Sequence, residues 1–237
     1  MFNHTSNIIK DSNIIKDSNL IGTFTDNTFS TSFLIYSLFQ SLFYGYFATQ
    51  YPQTFSRNSR PLAWLLTWLI AIIIIPVSVP FAYHILIRQD VNWINSFLSR
   101  SIGACFVSYL CVDTAVGTFH YPKQFNTLSY IHHAVYVIII MDFCRHQVPG
   151  LLGPFCVLEY PTFFLAIGNI NQKWRTNLVF GFLFFSTRIV YHSFLIYQYF
   201  RWFTYTRFWV YVAISLPMHI HWFSKWVKQQ FKKEKVE

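Results

Sequence analysis

The sequence predicts an all-α polytopic membrane protein with about seven transmembrane helices. Three observations lead there. Hydrophobic residues make up 54% of the 237-residue chain. Charged residues make up 11%, where soluble domains carry about 25%. The apolar residues also gather into seven stretches near the ~20-residue length that crosses a bilayer. This balance excludes an ordinary soluble enzyme, a disordered chain and a coiled coil. The aromatic share of 21% calls for wide apolar faces, interfacial belts, or both.

Residues 1–28 are polar and carry a tandem repeat, Ser6-Asn7-Ile8-Ile9-Lys10-Asp11 followed by Ser12 to Asp17, with a decayed copy from Ser18. A six-residue step turns a helix by about 240°, so the isoleucine pairs share no face, and the segment reads as a disordered tail. It lacks the basic start, apolar run and cleavage site of a signal peptide. Asn3-His4-Thr5 fits the N-glycosylation pattern. The apolar stretches follow at 30–49, 62–84, 97–117, 128–143, 150–168, 178–198 and 208–226. The first is rich in Ser and Tyr and stands with its loop (29–57) as an extra transmembrane helix. The second is predicted to kink at Pro76 and Pro80, which a membrane helix tolerates when neighbours satisfy the freed carbonyls. The fourth is short and carries two histidines. Residues 229–237 form a basic tail.

The formal charge is +9, from 18 Lys and Arg against 9 Asp and Glu. The bases sit singly or in pairs between apolar runs, as helix-end anchors do, and no basic-aromatic module or zinc spacing accompanies them, so nucleic acid is not an expected partner. With seven spans, one side carries Arg57, Arg60, Lys123, Lys173, Arg175 and Lys225, Lys228, Lys232, Lys233 and Lys235. The other carries Lys10, Lys16, Arg88, Arg100, Arg145, Arg201 and Arg207. The richer side is expected to be cytosolic, and with it the C-terminus. The closing Lys233-Glu234-Lys235-Val236-Glu237 resembles the dilysine retrieval signal of endoplasmic-reticulum membrane proteins, and reads equally as a basic flank. Cys105, Cys111, Cys144 and Cys156 form no CxxC pair and read as small buried hydrophobes.

An ionisable side chain at the centre of a membrane helix costs about 2.5–3.5 kcal/mol on insertion scales, so such groups face the bundle interior by default. Asp113, the His132/His133 pair, Asn169 and His219/His221 are expected in a layer near the cytosolic ends. Glu159 and Arg188, with His192 one turn beyond, are expected near the middle, the two opposite charges as an interior ion pair. Neighbouring histidines suit proton transfer near neutral pH. Asp113 on the preceding helix can orient one ring, as a carboxylate does in a triad. Histidines here are not spaced at i+3 or i+4, so no metal is expected.

These residues, in this order, resemble the TLC family (the TRAM, LAG1 and CLN8 homology domain). The likeness runs from about Arg60 to Lys228, giving a domain over 58–228. It is carried by Ser108-Tyr109-Leu110-Cys111-Val112-Asp113, His132-His133, Leu158-Glu159 with Asn169, Phe184-Phe185-Ser186-Thr187-Arg188 and His221-Trp222-Phe223. The resemblance implies six helices in a barrel or bundle around a lipid-sized cavity. Ceramide synthases of the family acylate sphingoid bases with acyl-CoA through a motif that begins with two histidines, matched by His132 and His133. Their following pair of aspartates is replaced here by Glu159-Tyr160-Pro161, nearer to the non-synthase TLC-domain proteins, which are associated with membrane lipid composition.

Two functions follow as expectations. The first is a membrane protein that binds or handles a lipid and contributes to lipid homeostasis, with Glu159, Asn169, Arg188, His192, His219 and His221 lining the lipid site and no cofactor. The alternative is an acyl-CoA-dependent N-acyltransferase using His132 or His133, assisted by Asp113, with acyl-CoA as co-substrate. A seven-helix receptor or transporter is a third class. No repeat between the halves supports it.

Overall fold

The computed structural model describes residues 27–203 and 208–233, except for the side chains of Val91 and residues 231–233. The repeat-bearing tail with Asn3, the loop residue Arg207 and the last four residues of the retrieval-like motif lie outside the described residues. The structure is helical: α1 (Asn27–Gln50), α2 (Arg60–Ala82), α3 (Phe97–His120), α4 (Thr127–Arg145), α5 (Tyr160–Ile170), α6 (Asn177–Leu183), α7 (His192–Trp202) and α8 (Phe208–Lys233). A π turn, Tyr83–Ile87, extends α2, and a π segment, Phe184–Tyr191, joins α6 to α7. The 3-10 stretch Pro149–Glu159 leads into α5.

Five continuous helical segments are long and apolar enough to cross a membrane: Arg60–Ile87, Phe97–His120, Thr127–Arg145, Pro149–Ile170 and Asn177–Trp202. Helices α1 and α8 have the length but are not among those five. Helix α1 carries Gln40 and Tyr44 on its buried face, and α8 runs past the last apolar stretch through Lys225, Lys228, Lys232 and Lys233.

Local chemistry sets the helix starts. Ser59, Ser96 and Asn126 each sit in extended backbone at an N-cap and accept from the backbone N–H three residues on, at 3.3, 3.0 and 3.2 Å. Such caps satisfy donors that a helix leaves unpaired. Helix α4 ends with Gln147 at φ 58°. Val148 N–H reaches back to Phe143 O at 2.8 Å, the wide-span bond of a left-handed C-cap.

The chain divides into two compact units between Arg175 and Thr176. Helix α1, expected as an extra, belongs to the same unit as α2 to α5. Within that unit α3 is central: every residue from Ser101 to Leu110 is buried, with α1, α2, α4 and the 3-10 stretch around it. The connections alternate between two ends. At one end Asn58 N–H donates to His120 O at 2.9 Å and Lys123 N–H to Asn58 Oδ1 at 3.3 Å. At the other, Gly150 N–H donates to Ile94 O at 2.7 Å and Asn95 Nδ2 to Gln147 Oε1 at 3.3 Å. Arg57 and Lys123 therefore share an end, as the span alternation requires.

Helix α1 is amphipathic in the reverse sense of a soluble helix. Leu34, Ile35, Leu38 and Leu42 point outward at 60–67% exposure, while Gln40 and Tyr44 are buried.

The second unit is built on rings. Phe184 stacks on Phe223 at 5.9 Å, and Phe223 on Trp226 at 5.7 Å. Trp226 lies over Gly181, where an added Cβ would stand 2.1 Å from the indole. Only glycine admits the ring at that distance.

Candidate functional site

The central helix of the first unit carries Asp113, which is 4% exposed. Helix α3 stops at His120, and Tyr121 takes a non-helical conformation ahead of Pro122. The turn swings the Tyr121 ring back along α3, where its hydroxyl donates to Asp113 Oδ1. Burial, reinforced by the neighbouring Asp113, pushes the Tyr121 phenol above its usual range, so it keeps its proton and acts as donor.

His133 approaches the same carboxyl from α4, with Nε2 at 3.6 Å from Asp113 Oδ2. That separation is beyond a hydrogen bond but within electrostatic reach. Its Nδ1 lies 2.9 Å from Thr114 Oγ1 and 3.2 Å from Leu110 O. Thr114 Oγ1 donates to Leu110 O at 2.6 Å, which commits its only hydrogen. The imidazole hydrogen therefore sits on Nδ1, donating to Thr114 and Leu110, and Nε2 faces the carboxyl. Phe125 meets the His133 ring edge to face at 5.2 Å. Gly117 makes room for that phenyl, because a Cβ there would fall 2.6 Å from it.

The structure thus brings Asp113 and His133 together, with both His133 nitrogens turned to protein groups. His132 is half-buried, with its ring 4.6 Å from that of Tyr136 and 5.8 Å from that of His133. Asn169 is buried near the end of α5 and donates from Nδ2 to Leu165 O at 2.8 Å. Glu159 is half-buried at the end of the 3-10 stretch.

The second unit pairs two of the remaining residues. His192 and His219 are fully enclosed, and their Nδ1 atoms lie 2.9 Å apart. His192 Nε2 is 2.8 Å from Val212 O. A carbonyl only accepts, so His192 donates from Nε2 to Val212 O. The bond between the two rings sets His219 of α8 level with His192 of α7. Arg188 is buried in the π segment with its guanidinium 5.5 Å from the Phe184 ring centre. His221 is exposed. Among the described residues no three His, Cys, Asp or Glu side chains converge as a metal site requires.

Cys105 and Cys156 are buried as expected, Cys144 is partly buried, and Cys111 faces outward. Tyr121 and Thr114 complete the Asp113 cluster, and neither carries a mark in the sequence. A phenol beyond a helix end and a threonine within one carry no intramembrane cost that would mark them.

Comparison of the chain with protein-family models, with curated proteins and with solved structures finds no match.

Proposed function

We propose that this protein is a multi-pass membrane protein with seven spans, six of them in a TLC-type bundle, that binds or handles a lipid and contributes to membrane lipid homeostasis. The observation that carries the reading is the Asp113–Tyr121–His133 cluster on the central helix of an apolar unit. A carboxyl at such a position is expensive to insert and favours function as its reason for being there. The apolar outer face of α1 supports counting it among the spans. The resemblance of the His132-His133, Glu159 and Asn169 pattern to TLC proteins supports the lipid. Glu159, Asn169, Arg188, His192, His219 and His221 are its proposed contacts. The endoplasmic reticulum, with a cytosolic C-terminus, is the proposed location, on the loop charges and the retrieval-like tail.

The second reading is an acyl-CoA-dependent N-acyltransferase. It is favoured by the same cluster, which holds the acid and imidazole parts of a proton relay. In that reading His132 or His133 acts as base or nucleophile, with Asp113 assisting.

One preparation tests both. Protein purified in mild detergent is analysed for bound lipid by native mass spectrometry, then given long-chain amines and labelled acyl-CoA. A specific lipid without amide product supports the handler. Amide product abolished in His132→Ala supports the enzyme. Protein that carries no lipid and makes no product defeats both readings.

A further inference from the structure

The seam between α1 and α3 holds polar contacts at two levels. Ser32 Oγ lies 3.3 Å from Ser101 Oγ. One face further along, Gln40 is 1% exposed and Tyr44 4%. Gln40 Nε2 lies 3.0 Å from Ser108 Oγ and 3.5 Å from Cys105 O. Ser108 Oγ already donates to Cys105 O at 2.8 Å, so it accepts from the amide. The carbonyl of Cys105 also demands a donor. These two contacts fix the amide orientation, with nitrogen toward α3, and a flipped amide would set oxygen against oxygen. Gln40 Oε1 is then left enclosed and without a hydrogen-bond partner.

Tyr44, one turn on, is in the same position. Its ring packs against His120 at 5.5 Å and lies 6.4 Å from that of Tyr121, the residue that holds Asp113. Its hydroxyl is enclosed and unpartnered. Two orphaned polar atoms on successive turns are costly, since each forfeits water without compensation. One is an acceptor only, and the other can donate or accept. A hydroxyl, which both donates and accepts, suits either of them.

We infer that the α1–α3 seam beside Asp113 is a binding site for a hydroxyl group, supplied by a lipid alcohol or by an enclosed water, with Gln40 Oε1 accepting its hydrogen and Tyr44 donating to its oxygen. The lipid source rests on the lipid-handling reading above. The water source stands without it.

The test uses the full chain in detergent, with 1-dodecanol and its methyl ether as probes. The ether keeps the chain and the oxygen but has no hydrogen to give Gln40. If the lipid source is right, dodecanol raises the unfolding temperature and the ether does not. The half-effective dodecanol concentration then rises at least tenfold in Tyr44→Phe and in Gln40→Met. If water is the source, the two probes act alike, and a high-resolution structure shows one ordered water within hydrogen-bonding distance of both side chains. That result keeps the site and weakens only the lipid reading. Equal probes with no water in the seam overturn the inference. The wild-type measurements decide the matter even if a variant does not fold.

Discussion

Tyr121 donates its phenolic hydrogen to the carboxyl of Asp113 from the first position beyond the helix that carries the acid. The bond ties the α3–α4 turn to the interior of α3. Replacing the phenol leaves a buried carboxyl short of a donor, which costs about 1–3 kcal/mol. Tyr121→Phe is therefore expected to lower the unfolding temperature measured in detergent by circular dichroism. Asp113→Asn, which retains an acceptor for the phenol, is expected to lose less than Asp113→Ala.

His133 is held with its hydrogen on Nδ1 by the committed Thr114 hydroxyl and the Leu110 carbonyl. Nitrogen NMR of histidine-labelled protein is expected to show an Nδ1–H imidazole that changes in Thr114→Val. An Nε2–H spectrum at His133 contradicts the assignment.

Gly181 lies beneath Trp226 at a distance no side chain tolerates. Gly181→Ala is expected to destabilise by about 1–3 kcal/mol, as overpacking does. Trp226→Phe in the same chain removes part of the obstruction. The double variant should therefore lose less than the two single losses added together.

Gln147 adopts a left-handed conformation at the end of α4. A side chain in that region costs roughly 1 kcal/mol, which glycine avoids. Gln147→Gly is expected to raise the midpoint of thermal unfolding slightly. A clear drop means that the Asn95–Gln147 contact outweighs the backbone strain.

The loops containing Arg57 and Lys123 bond to one another, as do those containing Asn95 and Gln147. Single cysteines placed at Arg57 and Lys123, in a chain cleared of its own cysteines, should react with an impermeant reagent from the same side. Cysteines at Asn95 and Gln147 should react from the other. Cytosolic labelling of Arg57 and Lys123 is expected from the proposed orientation.

The helices were legible because lipid imposes a simple rule on apolar length. The stretch read as 62–84 is the helix Arg60–Ala82 with its π turn, and that read as 97–117 is Phe97–His120. Ionisable residues within spans were legible for the same reason, and the nearness of Asp113 to His133 follows from matching depth on consecutive helices. The bond between His192 and His219 gave no signal, since it depends on which faces of two separate helices meet. Gln40, Tyr44, Thr114 and Tyr121 gave no signal. Neutral polar groups depend for their meaning on what faces them, and helix facing is settled by packing. The 3-10 stretch before Glu159 and the π segment around Arg188 were likewise hidden, since each keeps an apolar composition that an α-helix would also carry.

The seam between α1 and α3 has a consequence for biosynthesis. Ser108, which accepts from Gln40, lies 68 residues further along the chain. During synthesis α1 is made well before its partner. For that interval Gln40 and Ser32 have neither Ser108 nor Ser101 to meet. On the proposed seven-span reading, the first helix is a provisional guest in the bilayer, and it becomes a settled one only when the third arrives.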